Sequence, residues 1–192
     1  VGTVVTGSLT GGTLRRGQQV TIAPAGFATR IRTIQQHGRD VAEGFPGSRV
    51  ALNLPDVQPA ARGDSATSAA VVRRGDGLTS AALARPTRRL IARMMRFARG
   101  GEEALPIGTS DAFKSGATLH FHHGTAACGA RIRLIDQDAL DSGGAALAML
   151  TLKLPMLLFA GDRFVLRDGC GQATVAGGIV LEPHAAVRSK WR

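Results

Sequence analysis

Cysteine and aromatic residues are scarce in this chain. Among its 192 residues only Cys128 and Cys170 are cysteines, tyrosine is absent, and the aromatic share is 4%. Two cysteines do not make the disulfide framework of a small exported domain. No run of Lys or Arg has aromatic residues interleaved with it, which argues against a stacking platform for single-stranded nucleic acid.

Long apolar runs are missing as well. No stretch reaches the length of a membrane helix, and the first residues lack the basic and apolar blocks of an export leader. We therefore expect a soluble, cytoplasmic chain without a membrane partner.

A nucleotide-binding motif is also absent from the sequence. There is no G-x-x-x-x-G-K-[ST] loop, and the glycine-rich stretches "GSLTGGTLRRG" and "GCGQATVAGG" favour hairpin turns. No nucleophile elbow or pair of catalytic carboxylates stands out. The sequence predicts that this chain alone is not an enzyme and holds no cofactor.

Acidic residues are outnumbered by basic ones. Lys and Arg total 24 against 14 Asp and Glu, so the formal net charge is +10. This balance is typical of proteins with an acidic partner such as RNA, DNA or a ribosome. A genome biased toward Arg and Ala codons would produce part of the same excess.

Short alternating segments separated by Gly, Pro and Asp turns fill the first part of the chain. They include "QQVTIAP", "ATRIRTIQQ", "SRVALNL" and "SAAVVRR". Strands of this length and spacing predict an antiparallel barrel or sandwich. Ile31 is expected on the buried face of its segment.

Breaker residues at 75–86 predict a domain boundary. We expect one β-barrel at 1–76, a linker at 77–84, a second β-barrel at 85–185 and a tail at 186–192. The stretch "RRLIARMMRFARGGEE" fits a helical face and also alternates, so its periodicity leaves helix or strand open for 85–117. Strand signals resume after it, in "ATLHFHH", "ARIRLI", "ALAMLTLKLP", "DRFVLR" and "ATVAGGIVL".

Several blocks, in order, resemble translational GTPases of the elongation factor Tu class. "GTVVTGSLTGGTLRRGQQVTIAP", "RIRTIQQHGRDVAEGFPGSRVALNL" and "ARGD" are similar to their second domain. "FHHGTAACGARIRLI" and "LPMLLFAGDRFVLRDGCGQATVAGGIVLEP" are similar to the third domain of the selenocysteine-specific elongation factors. The resemblance implies an all-β fold of two consecutive antiparallel barrels of the translation-factor type, corresponding to domains II and III.

The same resemblance implies a larger parent protein. A GTPase domain that binds GTP and Mg²⁺ would precede this region, and an RNA-reading winged-helix region would follow it. We therefore expect a tRNA-binding middle fragment. Its partners would be selenocysteyl-tRNA, the ribosome and the parent's own GTPase domain.

Arg49, in "SRVALNL", corresponds by the resemblance to an arginine that faces the selenocysteine side chain. A selenol is more acidic than a Cys thiol, whose reference pKa is about 8.5, so it is anionic at neutral pH. A guanidinium is permanently cationic and would favour the selenolate over the neutral hydroxyl of serine. The alternative is that Arg49 only covers a solvated strand face. The family's other pocket residues, an acidic–Arg pair, would lie before Val1.

Further tRNA contacts are implied by the resemblance. In the first domain, Gln35, His37 and Arg39 would lie near the terminal nucleotide of the tRNA, although His37 also fits a plain hairpin loop. In the third domain, the backbone contacts would come from a hairpin and a nearby turn: His122, His123, Gly124, Thr125, Arg167 and Gln172. Phosphate contacts of this kind give affinity and salt dependence without sequence specificity.

Two other motifs have simpler explanations. His120 and His122 share a strand face while His123 points away, and neither cysteine has a C-x-x-C partner, so we expect no metal site. The Arg-Gly-Asp sequences at 62–64 and within 73–76 favour Asp-containing turns over adhesion motifs.

Two other functions remain open from the sequence. The chain would be part of another translational GTPase or a paralogue, in which Arg49 serves a different ligand, or a non-catalytic interaction scaffold.

Overall fold

The computed structural model describes residues 2–60, 70–97, 112–169, 171 and 173–186. The chain divides into two compact units, Val1–Arg85 and Pro86–Arg192. In the described residues all regular structure is β, apart from a three-residue 3₁₀ helix at Ala81–Leu83. The predicted all-β class is confirmed.

The first unit consists of short strands arranged in small sheets. They are β1 (Thr3–Ser8), β2 (Leu14–Arg15), β3 (Gln19–Ala23), β4 (Phe27–Arg30), β5 (Thr33–Gln36), β6 (Arg39–Val41), β7 (Glu43–Gly44), β8 (Arg49–Leu54), β9 (Gln58–Pro59), β10 (Val71–Val72) and β11 (Gly77–Thr79). The largest sheet has the order β1-β8-β5-β6, and smaller sheets follow the orders β11-β3-β4, β2-β7 and β10-β9. The β9–β10 pair is parallel, whereas the sequence predicts only antiparallel pairing.

One apolar core fills the first unit. Alternation along β8 buries Val50, Leu52 and Leu54, and Ile34 of β5 packs into the same cluster. Because residues on a strand alternate between faces, Arg49 and Ala51 lie on the opposite, outer face of β8. The predicted segment 28–36 is two strands, because Ile31, which is buried, and Arg32 interrupt it.

The second unit is built around a closed barrel with the strand order β12-β17-β15-β14-β18-β19. Its strands are β12 (Pro86–Arg96), β13 (Ala112–Lys114), β14 (Thr118–His123), β15 (Ala126–Leu134), β16 (Ala139–Asp141), β17 (Ala145–Leu157), β18 (Arg163–Arg167) and β19 (Thr174–Glu182). Strands β13 and β16 form a separate antiparallel pair. This barrel agrees with the predicted second β-barrel.

The open choice between helix and strand after residue 85 is decided for β12, which is a strand. Leu90, Ala92 and Met94 are fully buried and alternate with more accessible residues, as a strand in a barrel wall requires. The core beneath them contains a stacked pair of rings, Phe121 and Phe164, with centroids 4.9 Å apart.

The boundary between the units differs from the predicted linker at 77–84. Residues Gly77–Thr79 form β11, which pairs antiparallel with β3 and therefore belongs to the first unit. The preceding turn explains why the sequence suggested a break there. Asp76 accepts a hydrogen bond from the Arg73 amide at 2.7 Å, so this Arg-Gly-Asp sequence is an Asp-containing turn. The other, at 62–64, lies outside the described residues.

Candidate functional site

Three of the predicted site residues meet in one groove on the first unit. Gln35, His37 and Arg49 line this groove, which has a volume of about 240 Å³, together with Thr6 and Gly38. We call it the Arg49 groove. The sequence alone did not single out Thr6 and Gly38, because their place depends on the strand register.

Strand register explains how these side chains come together. Ala51 of β8 lies opposite Thr6 on β1 and opposite Gln35 on β5, so these three side chains share the outer face. Arg49 lies two residues before Ala51 on the same face. Strand β5 ends at Gln36, opposite Val50, so the residue beside Arg49 is His37 from the turn that follows β5.

The turn at His37 and Gly38 has an uncommon backbone. His37 has φ 51° and Gly38 has φ 74°, while the flanking Gln36 and Arg39 are paired. Positive φ at both central residues is the signature of a type I′ turn, whose twist matches that of the two strands. A non-glycine residue in this region costs free energy, although His is among the residues found there more often than most. The hairpin therefore fixes the imidazole beside the groove.

Charge in the groove comes from Arg49. Its side chain is exposed, and among the described residues it forms no salt bridge. No carboxylate of the described ranges lines the groove, although the exposed Asp40 lies opposite Gln35 in the neighbouring strand. A permanently charged guanidinium in this setting is available to an anionic guest.

Arg39 is not brought into this groove. It pairs with Gln36, so it belongs to the opposite face of the sheet from Gln35. It is exposed at the edge of the hairpin, and its predicted tRNA role stays a prediction.

A second group of predicted residues lies on the wall of the second unit. His120 of β14 is opposite Arg167 of β18, and His122 is opposite Val165, so these side chains share the outer face. The His120 Nε2–H donates a hydrogen bond to the carbonyl of Gly169 at 3.2 Å. Burial, then the nearby positive charges of Arg167 and His120, lower the pKa of His122 below its usual 6.5. His122 is therefore neutral at pH 7.

His123 has a different environment, as its predicted orientation implies. Its Nε2 lies 3.2 Å from a carboxylate oxygen of Asp162, which also accepts a hydrogen bond from the Phe159 amide at 2.8 Å. The turn after His123 is formed by Gly124 and Thr125. Gly124 has φ 55°, at the first central position, where a type II′ turn needs positive φ.

Gln172, Cys170 and the tail residues 187–192 lie outside the described residues. Within the described part of the chain, no group of three His, Cys, Asp or Glu side chains is placed to hold a metal ion. The same part contains no helix long and apolar enough to span a membrane.

Comparison with known proteins identifies both units. Residues 2–67 match the family model for elongation factor Tu domain 2, and residues 104–187 match that for the beta-barrel domain of the selenocysteine-specific elongation factor. The crystal structure of sup35 complexed with GDP superimposes with a TM-score of 0.74 at 19% identity, covering 96% of this chain and 45% of that one. The chain thus has the β-barrel fold of the translation-factor type, and each unit is similar to a domain of translation elongation factors.

Two curated relatives indicate which translation elongation factors this chain is similar to. The chain is 28% identical to the selenocysteine-specific elongation factor of Desulfomicrobium baculatum over 95% of its length, and 26% identical to that of Haemophilus influenzae over 98%. It is therefore similar to the selenocysteine-specific elongation factors over nearly its whole length, as the resemblance predicted. It spans about a quarter of those proteins, 26% and 27% of their respective lengths.

Proposed function

We propose that this chain is the tRNA-binding region of a factor that delivers selenocysteyl-tRNA to the ribosome in the cytoplasm. The observation that carries the proposal is the Arg49 groove, which unites Gln35, His37 and Arg49 although they come from a strand, a turn and another strand. The match to the selenocysteine-specific elongation factors supports the same function.

Arg49 would be the residue that distinguishes selenocysteine from serine. At neutral pH the selenol is ionised and the serine hydroxyl is not, so only the former gains a charge-assisted contact with the guanidinium. Each tenfold preference needs about 1.4 kcal/mol of differential binding. His37 would stack on, or donate a hydrogen bond to, the terminal nucleotide, the mode by which unpaired RNA ends are usually recognised.

The surface containing His122, His123, Gly124, Thr125 and Arg167 would contact the tRNA backbone. Arg167 supplies a permanent charge there, while the neutral His122 supplies a hydrogen-bonding group at pH 7. Such contacts would add affinity and orient the tRNA, leaving the choice of amino acid to the first unit.

GTP and Mg²⁺ do not fit the residues present. The glycine-rich stretch at 169–178 leads into strand β19 rather than into a helix, so it lacks the strand–loop–helix setting of a phosphate loop. GTP hydrolysis by the whole protein would therefore rest on a domain outside this sequence, and we derive no step of it from these barrels.

The test compares affinities of the full-length protein for selenocysteyl-tRNA and seryl-tRNA. In Arg49→Ala we expect the preference for selenocysteine to fall about tenfold or more, and in Arg49→Lys to fall less, because the charge remains. Arg30→Ala is the matched control, since Arg30 is exposed on β4 and does not line the groove.

Two results would contradict the proposal. An unchanged preference in Arg49→Ala would remove Arg49 from amino-acid selection. An equal loss of affinity for both tRNAs would favour another translational GTPase or a paralogue, in which Arg49 serves a different ligand.

A further inference from the structure

The outer wall of the second unit carries another groove, which sequence analysis did not find. It has a volume of about 510 Å³ and is lined by Arg89, Arg131 and Arg133, with Thr151 and Met149 between them. We call it the three-arginine groove. Its arginines come from β12 and β15, on either side of β17.

Register places the three guanidiniums on one face. Thr151 of β17 lies opposite Arg89 on one side and opposite Arg131 on the other. Met149 is likewise opposite Arg133, one step along the same strands. With strands about 4.8 Å apart and residues about 3.3 Å apart along each, the Cα atoms of Arg89 and Arg131 are about 10 Å apart, and those of Arg131 and Arg133 about 7 Å.

Acidic side chains of the described residues do not balance the charges in this groove. All three arginines are exposed, and in the described part of the chain none of them forms a salt bridge. Among the residues that the structure describes, no carboxylate lines the groove. Asp136, in the loop after β15, accepts hydrogen bonds from the Leu147 amide with both carboxylate oxygens, at 3.1 and 3.0 Å. Like charges held together without counter-charges favour binding of an anion.

Neutral donors complement the cations. The Ser115 hydroxyl accepts a hydrogen bond from the Leu134 amide at 3.1 Å, which leaves its own hydrogen for a ligand, and Thr151 is an exposed residue. A site with guanidinium and hydroxyl donors and no acidic lining is suited to phosphate oxygens.

The groove is also continuous with the surface of β14 and β18 that carries His120, His122 and Arg167, which we call the histidine surface. Arg131 lies opposite Thr118 on β14, two residues before His120 on the same face. The stem of Lys153 lies over Gly129, which is opposite His120, since a Cβ at Gly129 would be 2.8 Å from Lys153 Cδ. Basic side chains therefore form a band across β12, β17, β15, β14 and β18. A band suits an extended polyanion better than a single free phosphate group.

We propose that the three-arginine groove binds the phosphodiester backbone of RNA and extends the contact made at the histidine surface. That the RNA is the acceptor arm of the delivered tRNA rests on the function proposed above, whereas RNA binding at this groove does not. The groove would recognise the charge and the spacing of the RNA phosphates, so it would add affinity without a preference for base sequence.

The experiment measures RNA affinity against salt concentration with the full-length protein and deacylated tRNA. For Arg131→Ala/Arg133→Ala we expect weaker binding at low salt and a slope of log K against log salt that is smaller by about 2, about 1 for each lost phosphate contact. Arg131→Lys/Arg133→Lys keeps both charges and should restore the slope. Arg16→Ala/Arg30→Ala removes the same charge from exposed positions of the first unit that line neither groove.

Two further arms separate the possible ligands. Inorganic phosphate at millimolar concentration should compete weakly, and polyglutamate of matched charge should not displace RNA. The proposal is overturned if the Arg131/Arg133 variant keeps the slope of the control variant. It is also overturned if phosphate or polyglutamate binds the groove as strongly as RNA. Deacylated tRNA carries no selenocysteine, so a failure here is distinct from a failure of the Arg49 experiment.

Discussion

His37 and Arg49 line the same groove of the first unit, although β6 and β7 separate them in the chain. The type I′ turn at His37 and Gly38 holds this arrangement. His37→Asn should preserve the turn, because Asn-Gly is the favoured pair there, while it removes the imidazole. We expect unchanged unfolding stability and weaker binding of aminoacyl-tRNA.

A second substitution at this position separates the turn from the ring. His37→Val places a β-branched residue at positive φ, so we expect it to lower the free energy of unfolding by about 1–3 kcal/mol. Chemical denaturation measures both variants. Equal stability of the Asn and Val variants would show that the turn does not constrain this residue.

Gly178 provides a test of packing in the second unit. A Cβ at this position would overlap the Arg93 carbonyl oxygen and would lie 2.7 Å from Cζ of Phe164. Gly178→Ala should therefore destabilise the barrel by about 1–3 kcal/mol, as overpacking usually does. Gly7→Ala in β1 is the control, since its Cβ would meet nothing within 4 Å, and its effect should be neutral or slightly stabilising. A harmless Gly178→Ala in thermal unfolding would contradict the close contact.

Asp76 gives a pH prediction. Burial raises the pKa of this carboxyl above 3.8, although the Arg73 amide hydrogen bond and charge oppose the shift. A raised pKa means that folding favours the protonated form, so stability is fully present below the unfolded pKa and is lost as pH rises through the folded pKa. We expect Asp76→Asn to remove this dependence and to be at least as stable as the wild type at pH 7.

Asp76→Ala is the matched comparison for the hydrogen bond. It removes the acceptor for the Arg73 amide and should cost about 1 kcal/mol. Denaturant titrations at several pH values separate the two effects. If the Asp76→Asn variant were less stable than the wild type at pH 7, burial would not dominate at this carboxyl.

His122 has the opposite protonation preference. Its pKa is lowered mainly by burial and then by Arg167 and His120, so folding favours the neutral ring. Stability from this group is present above the unfolded value of 6.5 and is lost as pH falls through the folded pKa. His122→Gln should flatten this part of the stability profile, measured by thermal unfolding between about pH 7 and pH 5. An identical profile in the variant would assign the dependence to another group.

Strand alternation predicted much of this fold, because a strand that is buried on one face has apolar residues at every second position of its sequence. Val50, Leu52 and Leu54 show it, and the same alternation at Leu90, Ala92 and Met94 was masked by an equally good helical pattern until pairing with β17 and β19 decided it. The strand β11 within the predicted linker at 77–84 was not predictable, because β11 is short and its partner β3 is far away in the chain.

Site residues were predictable only where a resemblance pointed to them. Arg49 and His37 came from matching segments, whereas Arg89, Arg131 and Arg133 form a site solely through register across β17. Alternation predicts which face each arginine occupies, but no local pattern states that Thr151 separates two of them. Long-range pairing depends on the whole core, so the three-arginine groove has no short sequence signature.

The six-stranded barrel of the second unit closes on itself, and closure removes the free strand edges that other chains use for pairing. A partner of this wall is thus recognised through the chemistry of outward side chains, and the backbone acts only as their scaffold. Evolution can exchange an arginine for a threonine on such a surface without disturbing the hydrogen bonds between strands. Closely related barrels can therefore acquire different binding partners while they keep one architecture.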